Sequence, residues 1–159
     1  MYIFSDGESL TTKAIKKNYE EVYGATDIND CPNITILEGK NFEEYLVSSE
    51  FRTVIELAIK SLDGDDAINN WIISKQGQSD GSKKTDNPPC QVCNQPIYEK
   101  ALKDYMSPDG YDKALIDILK SGKTKFAPVI AEKLCELELE QLPPKILDLF
   151  QKIKNGGIT

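Results

Sequence analysis

The sequence contains no histidine among its 159 residues. This absence excludes Ser-His-Asp and Cys-His catalytic sets, histidine-bound metals, and the side chain that most often acts as a general base near neutral pH. If the chain is an enzyme, its catalysis must therefore depend on carboxylates, lysine, cysteine, serine or tyrosine.

Long apolar runs are absent and basic residues are outnumbered. No stretch has the length of a membrane span or the pattern of a signal peptide, so we expect a cytoplasmic protein without a membrane partner. Acidic residues exceed basic ones by 26 to 19, and the net charge is −7. This charge argues against a protein that coats nucleic acid through bulk electrostatics, although it is compatible with a metal-bridged nucleic-acid site.

Cysteine is also scarce, with four residues at Cys31, Cys90, Cys93 and Cys135. We expect reduced thiols in an intracellular chain of this kind. The Cys90-x-x-Cys93 spacing is typical of half a zinc site or of a redox pair. A redox motif would be expected in a thioredoxin-like βαβ unit, which is absent around these residues, and a zinc site without histidine would need all four cysteines. Zinc binding therefore stays open at this point.

Two apolar, β-branched runs in the first 40 residues predict strands. Tyr2-Ile3-Phe4 leads into the turn Ser5-Asp6-Gly7-Glu8, and residues 33–37 form the second run. Between them, residues 9–23 have helical periodicity with Ser9 as a capping residue and Gly24 as the stop. A strand, a helix and a strand at this spacing predict a βαβ unit with parallel strands.

The remainder of the chain predicts helices. Asn41 or a neighbour is expected to cap a helix that begins at Phe42. Apolar residues at helical spacing then predict helices over 51–62 and 67–74, and further helices that begin near Pro96, Ser107, Thr124 and Pro143. We therefore predict an α/β fold class: a short parallel βαβ piece in residues 1–50, followed by a mainly helical carboxyl-terminal region in 51–159, with a mobile polar loop at about 76–95.

Acidic side chains follow both predicted strands. Asp6 and Glu8 end the first strand, and Glu43 and Glu44 follow the second by a few residues. Parallel strands end at one edge of a sheet, so a third carboxylate can approach the first two. Three converging carboxylates repel one another without a cation, which indicates a divalent metal such as Mg²⁺. The alternative is a solvated acidic turn and ordinary first-turn acids of a helix, and the choice between Glu43 and Glu44 stays open.

Two further polar segments are candidates for metal or phosphate binding. Asp63-Gly64-Asp65-Asp66 has the residues of a metal turn, but its position between two helices favours a helix N-cap cluster. Ser121-Gly122-Lys123-Thr124 resembles the end of a P-loop but lacks the preceding strand, so we reject nucleotide binding there. Lys123 and Lys125 then stand at a helix start, where cations oppose the helix dipole. Such a lysine is either positioned for a phosphate or simply exposed.

The order of these segments resembles the Toprim nuclease domain of the overcoming-lysogenization-defect (OLD) family. Ile3-Phe4-Ser5-Asp6-Gly7-Glu8 resembles the second acidic Toprim motif, with Glu in place of the second Asp. Residues 34–37 with 41–46 are similar to that family's later acidic segment. Residues 122–127 and 142–146 resemble its lysine segment and closing helix. The resemblance covers most of the chain except residues 76–95.

A second alignment to the same family is possible. Residues 36–40 also resemble the first Toprim motif, which would make Asp63 the second. The separation between Glu38 and Asp63 is too short for that arrangement, and the segment before Asp63 is predicted helical. We therefore retain Asp6 in the second motif, with the first motif upstream of Met1 and the chain as the carboxyl-terminal piece of a longer protein.

The resemblance implies a function that we state as an expectation. It implies an upstream ATPase domain that binds ATP, Mg²⁺ or Mn²⁺ in the nuclease site, cleavage of DNA, a role in phage defence, and a homodimer as a possible assembly. Asp6 and Glu8 would be metal ligands, Glu43 a further ligand or water orienter, and Lys123 the cation at the scissile phosphate. Lys125 is the competing lysine, and the chain alone is expected to be catalytically incomplete. The alternative is a non-catalytic helical interaction or dimerisation module.

Overall fold

The structure is a computed structural model that describes residues 2–7, 9–24, 33–38, 41–48 and 51–156. In chain order the described elements are β1 (Ile3–Gly7), α1 (Ser9–Tyr23), β2 (Ile34–Glu38), α2 (Phe42–Ser48), α3 (Arg52–Asp63), α4 (Ala67–Lys75), β3 (Ser79–Lys84), β4 (Tyr98–Leu102), α5 (Gly110–Ser121), α6 (Lys123–Cys135), a 3₁₀ turn (Leu139–Gln141) and α7 (Pro144–Gly156).

The amino-terminal elements form the predicted βαβ unit. Strands β1 and β2 pair in parallel, with Ile3 opposite Ile34 and Asp6 opposite Leu37. Helix α1 connects them and ends at Gly24, whose φ of +83° is the left-handed conformation that glycine adopts without steric cost. The predicted fold class, a short parallel βαβ piece followed by a mainly helical region, is confirmed.

Helices cover both faces of this strand pair. On one face, Ile34 and Ile36 pack against Ile15 and Tyr19 of α1. Alternate residues of a strand point to the opposite face, and there Thr35 donates a hydrogen bond of 3.0 Å to Asp148 of α7. Strand β2 therefore lies between α1 and α7 with residues 34–37 buried, whereas β1 is half-buried and its Phe4 is exposed.

A second, larger core lies among the helices. Its buried apolar residues come from α2, α3, α4, α5 and α6, joined by Tyr105: they are Leu46, Val47, Ile55, Ala58, Ile59, Ile68, Ile72, Ala114, Leu115, Ile118, Leu119, Phe126 and Ile130. Burial of each large apolar side chain contributes about 1.5–3 kcal/mol. Because α2 belongs to this core, the packing crosses the boundary that we expected near residue 50.

The segment after α4 differs from the prediction. Strands β3 and β4 pair antiparallel, with Ser79 opposite Leu102 and Lys84 opposite Tyr98. The prediction of a helix that begins at Pro96 is therefore wrong, and the polar loop predicted at about 76–95 contains strand β3. The register shifts between Ser79 and Ser82, where Gly81 has a φ of +84°, the conformation of a glycine bulge.

Hydrogen bonds join this β-hairpin (residues 79–102) to the helical core at its base. The Gly77 N–H donates to the Lys103 carbonyl over 2.9 Å, and the Tyr105 N–H donates to Oε1 of Gln76 over 2.8 Å. Tyr105 itself is buried in the core. In the described part of the chain, no helix combines the length and the apolar character that a membrane crossing requires.

Candidate functional site at the carboxyl edge of the parallel strands

The carboxyl ends of β1 and β2 meet at one edge because the strands are parallel. Asp6, half-buried, lies one residue before the end of β1 and opposite Leu37. Phe4, which shares a strand face with Asp6, contacts Phe42 at the start of α2, with the ring centroids 6.2 Å apart in an edge-to-face arrangement. The beginning of α2 therefore packs against the strand face that carries Asp6.

Glu43 is the buried acidic residue of α2. It is only 9% exposed, and its Oε1 lies 2.7 Å from Nζ of Lys123, the first residue of α6. The lysine side chain is 62% exposed, so the pair runs from the interior to the surface. The structure thus brings together two residues that the sequence analysis had singled out separately.

Glu44 has a different role. Its N–H donates to Oδ1 of Asn41 over 2.8 Å, and its Oε1 accepts from Nδ2 of the same asparagine over 2.8 Å. Lys120 adds an ion pair at 3.0 Å. The predicted capping role of Asn41 is confirmed, and Glu44 is a helix-cap residue. Glu43 is therefore the stronger site candidate of the two.

Lys125 points away from Glu43. It pairs with Asp63, the last residue of α3, and lies over the ring of Phe126 at 5.3 Å. Asp66 occupies the N-cap position of α4, as expected for residues 63–66, but its side chain makes no capping hydrogen bond. Asp63 instead offsets the charge of Lys125, which would otherwise oppose the dipole of α6.

Gly122 fixes the backbone from which Lys123 extends. A Cβ at this position would lie 2.7 Å from Cε2 of Phe126, closer than real contacts allow. The buried Phe126 ring therefore packs directly on the glycine at the junction of α5 and α6. This close approach orients the first turn of α6, so that Lys123 and Lys125 reach carboxylates on different helices.

An apolar groove lies beside the Glu43–Lys123 pair. It has a volume of about 320 Å³ and is lined chiefly by Phe42, Leu46, Leu119, Phe126, Ile130 and Leu134. We call it the α2–α6 groove. The sequence analysis did not predict it, because apolar residues at helical spacing indicate burial without saying which of them leave space between helices.

The donor set at this edge suits a hard divalent cation only in part. Asp6 and Glu43 supply the oxygen donors that Mg²⁺ prefers. Glu8, the third predicted ligand, lies outside the described residues, and within the described ranges no three Cys, Asp or Glu side chains come together to hold a metal. The three-carboxylate site stays a prediction that depends on Glu8.

Comparisons with known proteins add no assignment. No protein-family model matches the chain, and no significant match was found among curated proteins or solved structures. Any functional conclusion therefore depends on the residues and their geometry.

Proposed function

We propose that this chain forms part of the catalytic site of a divalent-metal-dependent DNA endonuclease of the Toprim type, as in the OLD family. One observation carries the proposal. A nearly buried carboxylate, Glu43, holds a lysine from a distant helix at 2.7 Å, on a helix whose first residue, Phe42, contacts Phe4 of the strand that carries Asp6. Two-metal hydrolysis of a phosphodiester uses clustered carboxylates and a cation and needs no histidine.

Each residue has a separate role in the proposed site. Asp6, Glu8 and Glu43 would hold Mg²⁺ or Mn²⁺, which when bound supplies Lewis-acid stabilisation of the phosphate and a more acidic bound water. Lys123 would donate to a phosphate oxygen, as a compact point charge. Glu43 holds the Lys123 ammonium at 2.7 Å, and the lysine side chain is 62% exposed, so it would be accessible to a substrate.

The resemblance extends the proposal beyond this chain. A preceding segment would supply the first acidic Toprim motif, and an ATPase domain would supply ATP binding and much of the basic DNA-binding surface. The proposed setting is the cytoplasm, in phage defence. An acidic chain is compatible with DNA binding when metals bridge the carboxylates and the phosphates.

Metal binding by the chain itself tests the proposed site. Titration with Mn²⁺, followed by electron paramagnetic resonance, should show weak binding that weakens at least tenfold in Asp6→Asn, Glu8→Gln and Glu43→Gln. Glu44→Gln is the matched control, because the neighbouring carboxylate caps α2 and pairs with Lys120. Mn²⁺ affinity equal in the Glu43→Gln and unmutated chains would contradict the assignment of Glu43.

A non-catalytic interaction module is the second candidate, and the α2–α6 groove favours it. An open apolar groove between helices is a common docking site for an amphipathic helix. If the chain associated without metal and the association were lost on substitution of the half-buried Leu134 by Leu134→Glu, while Glu43→Gln left it unchanged, the groove would be the functional surface. No effect of Leu134→Glu on association would remove this candidate.

A further inference from the structure

The connection between β3 and β4 carries a tightly closed turn around two cysteines. The Cys90 N–H donates to the Gln95 carbonyl over 2.9 Å, and the Asn94 N–H donates to the Cys90 carbonyl over 2.8 Å. Asn94 has a φ of +56°, a left-handed conformation that asparagine adopts more readily than most residues. The backbone therefore folds back on itself immediately after Cys93. We call residues 85–97 the hairpin tip.

Backbone N–H groups support the sulfur of Cys90 in this turn. Those of Cys93 and Val92 donate to it. Hydrogen bonds from the backbone are also the usual outer-shell support of metal-bound ligands. The Cys93 thiol is within hydrogen-bonding reach of Cys90, which suits two sulfurs on one tetrahedral zinc, roughly 3.8 Å apart for Zn–S bonds of about 2.3 Å.

The hairpin tip provides only half of a ligand set. A structural zinc site is closed by four protein ligands. Across the described part of the chain, which leaves out Cys31, no third Cys, Asp or Glu joins this pair in a metal-holding group, and Cys135 lies at the end of α6. The tip is open to solvent: Cys93 is exposed and Val92 is 95% exposed. Cys90 is half-buried, so a second molecule would approach the pair from the side of Cys93.

We propose that Cys90 and Cys93 form a Zn²⁺ half-site and that the same two residues of a second copy of the chain complete it. Closed two-fold symmetry is the commonest arrangement of identical subunits, and it supplies two plus two ligands from one surface. Each chain loses its two thiol protons to solvent as the two sulfur–zinc bonds form, so no oxidant is required. This inference is independent of the proposed nuclease function.

Zinc stoichiometry and mass in solution test the proposal. The full chain is kept under a phosphine reductant, given Zn²⁺, freed of excess metal, and analysed by elemental analysis and light scattering. We expect one zinc per two chains and a dimer that a chelator separates. Co²⁺ in place of Zn²⁺ should give the thiolate charge-transfer and visible bands of a tetrahedral four-thiolate site.

Single substitutions separate the possible outcomes. Cys90→Ser and Cys93→Ser should lose zinc binding and the dimer, whereas Cys31→Ser, Cys135→Ser and Glu43→Gln should keep both. One zinc per monomer that is lost in Cys31→Ser or Cys135→Ser would overturn the proposal, since the chain would then close its own site. An absence of zinc uptake by the reduced chain would overturn it as well, and so would a dimer unaffected by the chelator.

Discussion

The Glu43–Lys123 site depends on a contact between distant parts of the chain, whereas the hairpin tip depends on hydrogen bonds between residues close in sequence. Glu43 and Lys123 come from helices far apart in sequence and meet because α2 and α6 border the same apolar core. Cys90 and Asn94 are neighbours in sequence, and their turn is closed by local backbone hydrogen bonds at an exposed position. A substitution near the first site should therefore change stability and chemistry together, whereas one at the second should change chemistry alone.

Truncation of Phe126 should show the largest contrast between the two regions. Phe126 is 3% exposed and packs on Gly122, so Phe126→Ala should lower the free energy of unfolding by about 3–5 kcal/mol. Val92→Ala at the tip is the control, and a change within about 0.5 kcal/mol is expected there. Urea unfolding measures both, and similar losses for the two variants would remove the contrast.

A smaller effect is expected at Gly122. Gly122→Ala places a methyl group against the Phe126 ring and should cost about 1–3 kcal/mol. Adding Phe126→Leu should recover part of that loss, because the two residues share one contact. Strict additivity of the two changes in a double-mutant cycle would mean that the close approach does not determine the junction of α5 and α6.

The smallest effect should appear where the hairpin meets the core. Burial raises the pKa of Asp117, but hydrogen bonds from Lys103 and Tyr105 outweigh burial and hold that pKa below its ordinary value. The stabilisation that these hydrogen bonds give is present above the pKa of an unfolded-state aspartate, near 3.9. It is lost as the pH falls through the lower pKa of Asp117 in the folded state. Asp117→Asn should therefore cost about 1 kcal/mol at pH 7, and its difference from the unmutated chain should vanish in acid.

Urea unfolding across pH 7 to pH 2 checks that dependence. Asp80→Asn is the matched control, since Asp80 approaches the same lysine at 3.8 Å but is 58% exposed, and little change is expected. A constant difference between Asp117→Asn and the unmutated chain at every pH would mean that the charge of Asp117 does not matter.

The sequence predicted most of the fold because local signals and tertiary packing agree there. Helical periodicity, the Asn41 cap and the stops at Gly24 and Gly122 all correspond to observed helix ends. The sequence analysis missed the β-hairpin because every residue of β3 is exposed, so no alternating apolar pattern indicates a strand there. The helix was predicted from the spacing of Ile97, Ala101 and Leu102, which matches one face of a helix. Backbone pairing with β3 makes this segment a strand instead.

The sequence identified the individual residues of the candidate site but did not predict that Glu43 and Lys123 form an ion pair. Asp6, Glu43 and Lys123 each stood out by their place after a strand or at a helix start. Nothing local connects Glu43 with Lys123, because their contact depends on how α6 packs beside α2. The different roles of Glu43 and Glu44 could likewise be assigned only from the structure, which shows the contacts of Glu44 with Asn41 and Lys120.

Metal-dependent DNA cleavage by a protein that contains this chain and the upstream segment implied by the resemblance tests the central claim most directly. Under the proposed function, Lys123→Ala should lower turnover about 100-fold with little change in DNA affinity, because the lysine charge would act mainly in the transition state. Lys125→Ala, whose side chain is held by Asp63, should retain most activity. Full cleavage by Lys123→Ala, or a larger loss in Lys125→Ala, would contradict the account.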